Sequence, residues 1–184
     1  MPPAFFPVGL NLEGRDCVVI GPPSDHEAVE KTKALEEVGA KVRRLHDAAT
    51  LRDEDVADAF FVISTPLDAA LSARLRALAD RHRFLLCCID QPAYGFVAMQ
   101  SIVKAGPARL TVSSGGVSPA VSKRLRVAIQ RALDAKFVRF LDALRAKRNA
   151  NRALEDAEAR KAAGREAAKG FEVEISVRYP AWFE

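Results

Sequence analysis

Two short stretches of this chain carry residue types that could do chemistry. Phe84-Leu-Leu-Cys-Cys-Ile-Asp90 is an apolar run that ends abruptly in a carboxylate, and Ser113-Ser-Gly-Gly-Val-Ser-Pro119 is a glycine turn followed by Ser118-Pro119. An apolar run of that length, bounded by polar residues, reads as a strand buried on both faces, as parallel-sheet strands are. Ligands of open α/β sheets sit at the carboxyl ends of strands, so Asp90 is expected to point into a site. Ser118 is a good N-cap and Pro119 a good first helical residue. A helix N-terminus beside a strand-end carboxylate suits an acidic ligand. From the residues alone, a strand-terminal turn aspartate and a simple turn into a helix remain the competing readings.

The elements that must position these residues alternate along the chain. Asp16-Cys-Val-Val-Ile-Gly21 reads as a first strand, followed by a helix with Ala28, Thr32, Leu35 and Val38 on one face. Ser24 or Asp25 can cap that helix and Gly39 stops it. Ala40–His46 is a second strand, less apolar and nearer an edge. A short helix over 53–58, a strand Ala59–Ser64, a helix marked by Leu71, Leu75, Leu78 and Ala79, and the Phe84 strand follow. Such alternation argues an α/β fold, a Rossmann-like parallel sheet with helices on its faces.

After Asp90 the pattern changes. Gly95–Val103 and Arg109–Ser113 are two apolar stretches joined by Lys104-Ala-Gly-Pro-Ala, read as a hairpin or added strands. A helical region starts at Ser118, with Val121, Leu125, Ile129, Ala132, Phe137, Phe140, Leu141 and Leu144 in its stripe. Residues 146–170 turn to Ala, Arg, Lys and Glu, which favours an exposed helix or linker. Phe171–Tyr179 alternates apolar and polar residues cleanly and is expected to be a strand. The expected domains are 1–93, Rossmann-like; 94–117, a strand and dimerisation region; and 118–184, helical and ending in the strand 171–179.

Composition narrows the function classes. The chain has 184 residues, about half of them hydrophobic, and a formal charge of +4. No apolar run approaches the roughly 20 residues of a membrane span, and no secretory leader is read at Met1–Pro7. The expected location is cytoplasmic. The charge suits an anionic small molecule and is too weak to argue nucleic acid. The three cysteines, Cys17, Cys87 and Cys88, fall inside expected strands and read as small buried hydrophobes. The three histidines are scattered, so no metal site is argued.

Taken in order, Phe5-Phe-Pro7, Leu12-Glu-Gly-Arg15, Val18-Val-Ile-Gly21, Gly39-Ala-Lys-Val42, Ile89-Asp90-Gln-Pro92, Ser101-Ile-Val103, Gly106-Pro107 and Ser113-Ser-Gly-Gly-Val-Ser-Pro119 resemble the precorrin-2 dehydrogenase/sirohydrochlorin ferrochelatase family. That family includes the N-terminal part of siroheme synthase. The resemblance implies an NAD-binding Rossmann domain, a dimerisation region and a homodimer. It also implies siroheme biosynthesis: NAD⁺ accepts a hydride from precorrin-2 to give sirohydrochlorin, and bifunctional members then insert Fe²⁺. The aspartate in the position of Asp90 is implicated in catalysis there. A strand-end carboxylate can take the proton that must leave with the hydride. Ser113, Ser114, Gly115, Gly116 and Ser118 match the turn at the family's active site, and Lys123 and Arg124 would suit the substrate's carboxylates. In some members the serine corresponding to Ser114 is phosphorylated.

The sequence departs from this family at the cofactor loop. Gly21-Pro22-Pro23-Ser24-Asp25-His26 stands where a Gly-x-Gly loop is expected. Proline has no N–H, so two pyrophosphate donors are missing. The remaining candidates for NAD are Gly21, Ser24 and the helix start, Asp47 as a ribose partner, and Thr65. Thr65-Pro66-Leu67-Asp68 likewise replaces a Thr-Asp-Asp loop, and Gln91 follows Asp90 where a second acid is common. The alternatives are a chelatase-only enzyme and a non-catalytic tetrapyrrole-binding homologue.

Overall fold

Three of the first four strands are short and apolar enough to be covered on both faces, and the structure covers them; the second is polar and partly exposed. The computed structural model describes residues 5–183. Strands β1 (Asp16–Ile20), β2 (Lys41–Leu45), β3 (Phe61–Ser64) and β4 (Leu85–Cys88) form one sheet in the order β2-β1-β3-β4, every pair parallel. Because the strands are parallel, their carboxyl ends share one edge. The order reverses between β1 and β3, so the switch point of the sheet lies between the ends of those two strands. β2 is an edge strand, as its polar composition predicts.

Side chains alternate across this sheet with period two. Val18, Ile20, Val62, Leu86 and Cys88 face one core, closed by Val56 of α2 (Glu54–Ala57) and by Leu71, Leu75 and Leu78 of α3 (Ala69–His82). Cys17, Val19, Phe61, Ile63 and Cys87 face the other, closed by Ala28 and Leu35 of α1 (His26–Glu36). Ile20, Ile63 and Leu75 are fully buried, each contributing about 1.5–3 kcal/mol of burial. The fold is thus the expected Rossmann-like α/β arrangement.

The described residues cluster into two units. One runs to Ser101 and includes Val112–Lys123; the other holds Ile102–Thr111 and the residues from Arg124 on. The second contains most of the hairpin of β5 (Ser101–Ala105) and β6 (Ala108–Val112). β5 starts later than the apolar run beginning at Gly95 suggested. Phe96 and Val97 instead donate their N–H groups to the Leu86 carbonyl, which holds them against β4. The helical region from Ser118 is broken at 133–134 into α4 (Pro119–Ala132) and α5 (Ala135–Ala150), the second capped by Asp134. The polar stretch contains α6 (Ala157–Ala167).

One expectation fails. Residues 171–179 form no strand. Alternation supplies a two-faced ribbon, but a strand also needs a partner edge, and none pairs with this segment among the described residues. Phe171 stacks on Phe140 at 5.1 Å between centroids and tilts against Phe137 at 5.9 Å. Val173, Ile175, Val177 and Tyr179 stay exposed.

Candidate functional site

Parallel strands deliver four of the predicted residues to one edge. Gly21 directly follows β1, Asp47 lies two residues beyond β2, Thr65 directly follows β3 and Asp90 lies two residues beyond β4. Ligands of this sheet type bind along that edge.

Asp90 sits in a tight turn, with the Gln91 N–H donated to the Cys88 carbonyl. Its φ is +58°, one of two positive values at non-glycine residues among the described residues. The left-handed region disfavours L-residues by about 1–2 kcal/mol, aspartate and asparagine being the better tolerated. The strained turn leaves the side chain exposed, with no hydrogen-bond partner among the described residues. An unpaired carboxylate at a strand end is free to accept a proton or a ligand N–H.

The Ser113 turn is built by its own side chains. Ser114 Oγ accepts the Ser118 N–H at 3.0 Å and lies 2.9 Å from the Ser118 carbonyl, while Ser113 Oγ accepts the Gly115 N–H at 3.1 Å. Gly115 and Gly116 both have positive φ, which explains glycine at these two positions. Ser118 caps α4 as expected, its Oγ accepting the Val121 N–H at 3.3 Å. This turn and Lys123 belong to the same unit as Asp90, whereas Arg124 falls in the other; both cations are exposed. No hydrogen bond joins the turn to Asp90 among the described residues.

The cofactor side is closed. Asp25, rather than Ser24, caps α1: its Oδ1 accepts the N–H groups of Glu27 at 2.9 Å and Ala28 at 3.4 Å. Its Oδ2 accepts the Thr65 hydroxyl, a contact that spans the β1–β3 switch point. That hydrogen bond first, then the Ala28 and Glu27 N–H groups and the nearby Arg44, hold the Asp25 carboxyl below the ordinary aspartate range against its partial desolvation. The Gly21 N–H is donated to the Leu45 carbonyl and the Asp25 N–H to the Pro22 carbonyl. Arg44 Nη2 donates to the carbonyls of Gly21 at 3.0 Å and Pro22 at 3.3 Å.

A pyrophosphate at this helix start needs backbone N–H donors and close approach at glycine. Pro22 and Pro23 have no N–H, and those of Gly21, Asp25, Glu27 and Ala28 are engaged. Ser24 and His26 are left. A Cβ placed on Gly21 would lie 2.2 Å from Thr65 Oγ1 and 3.2 Å from Asp25 Oδ2, so the space above the glycine is already filled. The sheet edge fits a dinucleotide, and in this conformation the pyrophosphate position does not. Asp47 stands where a ribose-binding acid belongs, though its Oδ1 accepts the Ala49 N–H at 2.8 Å to cap a 3₁₀ turn.

The cysteines are not part of this chemistry. All three are buried and free. Burial pushes the Cys87 thiol up to about 11 and raises those of Cys17 and Cys88, so they remain protonated and pack as small hydrophobes.

A parallel sheet with its ligand edge at the switch point defines a Rossmann-like α/β domain. Residues 8–101 match the family model described as "Putative NAD(P)-binding", and the chain belongs to that family. Over 158 residues it is 29% identical to the siroheme synthase of Nitrosospira multiformis, covering 74% of this chain and 33% of that protein. Over 126 residues it is 28% identical to the precorrin-2 dehydrogenase of Bacillus subtilis, covering 68% of this chain and 73% of that one. The chain spans about a third of the length of the siroheme synthases it matches. The solved structure of SirC, a precorrin-2 dehydrogenase, superposes with a TM-score of 0.64 at 18% identity, over 90% of this chain and 98% of that one; a likeness at that identity shows the fold.

Two residues that matter here carry a weak signal in the sequence. Asp25 is visible as a possible cap, but not as a group reaching Thr65. Arg44 looks like an edge-strand cation, and only the strand register brings it under the Gly21 loop.

Proposed function

We propose that this chain acts in siroheme biosynthesis, oxidising precorrin-2 to sirohydrochlorin. The observation that carries this reading is Asp90: an unpaired carboxylate held in a strained turn, on the same sheet edge as the crevice between β1 and β3. The similarity to named precorrin-2 dehydrogenases supports it. NAD(P)⁺, when bound, supplies the hydride acceptor. The chain's own part is to orient the tetrapyrrole and to take the proton released as the C–H bonds give way, the role assigned to an Asp90 oxygen. The Gly116 N–H and Ser113 would hold substrate carboxylates, with Lys123 adding charge. Exposed apolar residues on the hairpin and α4, including Ile102, Leu110, Val121 and Leu125, support a homodimer. Light scattering in solution tests that point.

The decisive experiment is anaerobic incubation with precorrin-2, with and without NAD⁺, followed by absorbance. NAD⁺-dependent formation of sirohydrochlorin supports the reading; none from folded protein at saturating NAD⁺ defeats it. The Asp25 closure favours one second reading, a chelatase that inserts Fe²⁺ into sirohydrochlorin. Metal insertion also requires protons to leave the macrocycle, which Asp90 could accept, and needs no dinucleotide. Its test is the Fe²⁺ insertion rate measured against the uncatalysed rate.

A further inference from the structure

The Asp25 side chain does more than cap a helix. An N-cap needs one oxygen, and Oδ1 supplies it at Glu27 and Ala28. The second oxygen crosses to Thr65, forty residues away in sequence and at the end of the neighbouring strand. One carboxylate therefore bridges the two walls of the crevice where the sheet order reverses. It presents a negative charge to the helix start, which is what a pyrophosphate would do there.

The loop around it is fixed. Pro22 and Pro23 restrict φ, Arg44 holds the carbonyls of Gly21 and Pro22, and the Gly21 N–H is tied to β2 through the Leu45 carbonyl. A loop so constrained cannot swing aside as a unit. Rotation of the Asp25 side chain is the motion that vacates the site.

We propose that Asp25 is a built-in competitor of the dinucleotide: its carboxylate occupies the pyrophosphate position at the start of α1, latched by Thr65, and NAD(P)⁺ binds only by expelling it. This rests on the reading that the sheet edge receives a dinucleotide. Expulsion exposes the Glu27 and Ala28 N–H groups to the incoming phosphates and leaves Asp25 as a like charge nearby. Affinity for NAD⁺ is therefore low in the native chain and rises when the carboxylate is removed.

The test is calorimetric titration of the full chain with NAD⁺, and separately with inorganic pyrophosphate, for the wild type, Asp25→Asn and Asp25→Ser. Serine still caps the helix but is too short to reach Thr65, and asparagine keeps both size and cap without the charge. The expected result is at least tenfold tighter NAD⁺ binding by Asp25→Ser, a smaller gain for Asp25→Asn, and pyrophosphate binding that appears only in the variants. Equal or weaker NAD⁺ binding by both variants, or none by any form, overturns the proposal. If Asp25→Ser fails to fold, as judged by circular dichroism, Asp25→Asn decides alone, with tighter binding expected. Tighter NAD⁺ binding in a variant that still does not oxidise precorrin-2 would defeat the dehydrogenase reading and leave the competitor standing.

Discussion

Replacing Asp90 in three ways separates its charge from its backbone strain. Asparagine has the same shape and tolerates a φ of +58° about as well, so Asp90→Asn should change stability by less than about 0.5 kcal/mol. Alanine lacks the short polar group that eases the left-handed region, and Asp90→Ala should cost about 1 kcal/mol. Glycine relieves the steric term but gains unfolded-state freedom of about 0.4–1 kcal/mol. Asp90→Gly should therefore be neutral, or stabilising by up to about 1 kcal/mol. In a chain of this size each kcal/mol moves Tm by about 2–4 °C, which scanning calorimetry resolves. Turnover should respond differently. All three variants remove the proton acceptor and should lose about 10²–10⁴ in kcat, read anaerobically as sirohydrochlorin formed with NAD⁺ present. Wild-type turnover by Asp90→Asn would refute the chemical role, and an Asp90→Gly protein less stable than Asp90→Ala would refute the strain.

Other expectations follow from the same geometry. Leu75→Ala, at a fully buried α3 position, should destabilise by about 2–5 kcal/mol in denaturant titration; a loss under about 1 kcal/mol would mean that the helix does not pack as described. The Asp25 carboxyl is held below its ordinary range, so its contribution is complete above the unfolded-state value and is lost as pH falls through the folded one. The stability gap between wild type and Asp25→Asn should accordingly be flat at neutral pH and shrink in acid, below about pH 4. A gap that instead varied across the neutral range would point to another group. Thiol reagents in mild alkali should leave the native cysteines unmodified, since burial holds Cys87 at about 11; rapid native-state labelling would contradict the packing around β1 and β4.

The sheet was readable because its signal is local. Cys17–Ile20, Phe61–Ser64 and Leu85–Cys88 are runs that can only be buried, and the helices between them repeat apolar residues at helical spacing. The positions of Gly21, Thr65 and Asp90 on one edge followed from parallel pairing alone. What could not be read depends on contacts distant in sequence. The reach of Asp25 to Thr65 depends on β1 pairing with β3, and the hold of Arg44 on the Gly21 loop depends on β2 pairing with β1. The φ of Asp90 is set by its turn rather than by its residue type. Val38, grouped on the buried face of α1, lies past the last helical residue and is exposed. The 171–179 segment misled for the opposite reason: its local pattern is complete, and a partner edge is what it lacks.

The carboxylate at the start of α1 also bears on how the protein behaves when its ligand is scarce. A glycine-loop helix leaves its first N–H groups bare until a dinucleotide arrives, so part of its stability is borrowed from the cofactor. Here Asp25 satisfies those of Glu27 and Ala28 in advance. The empty protein should therefore resist proteolysis nearly as well as the loaded one, and its lifetime should not track the cellular dinucleotide pool. By the same reasoning, NAD⁺ should raise the melting temperature only slightly, because the cap lost on binding lowers the net affinity that sets the shift.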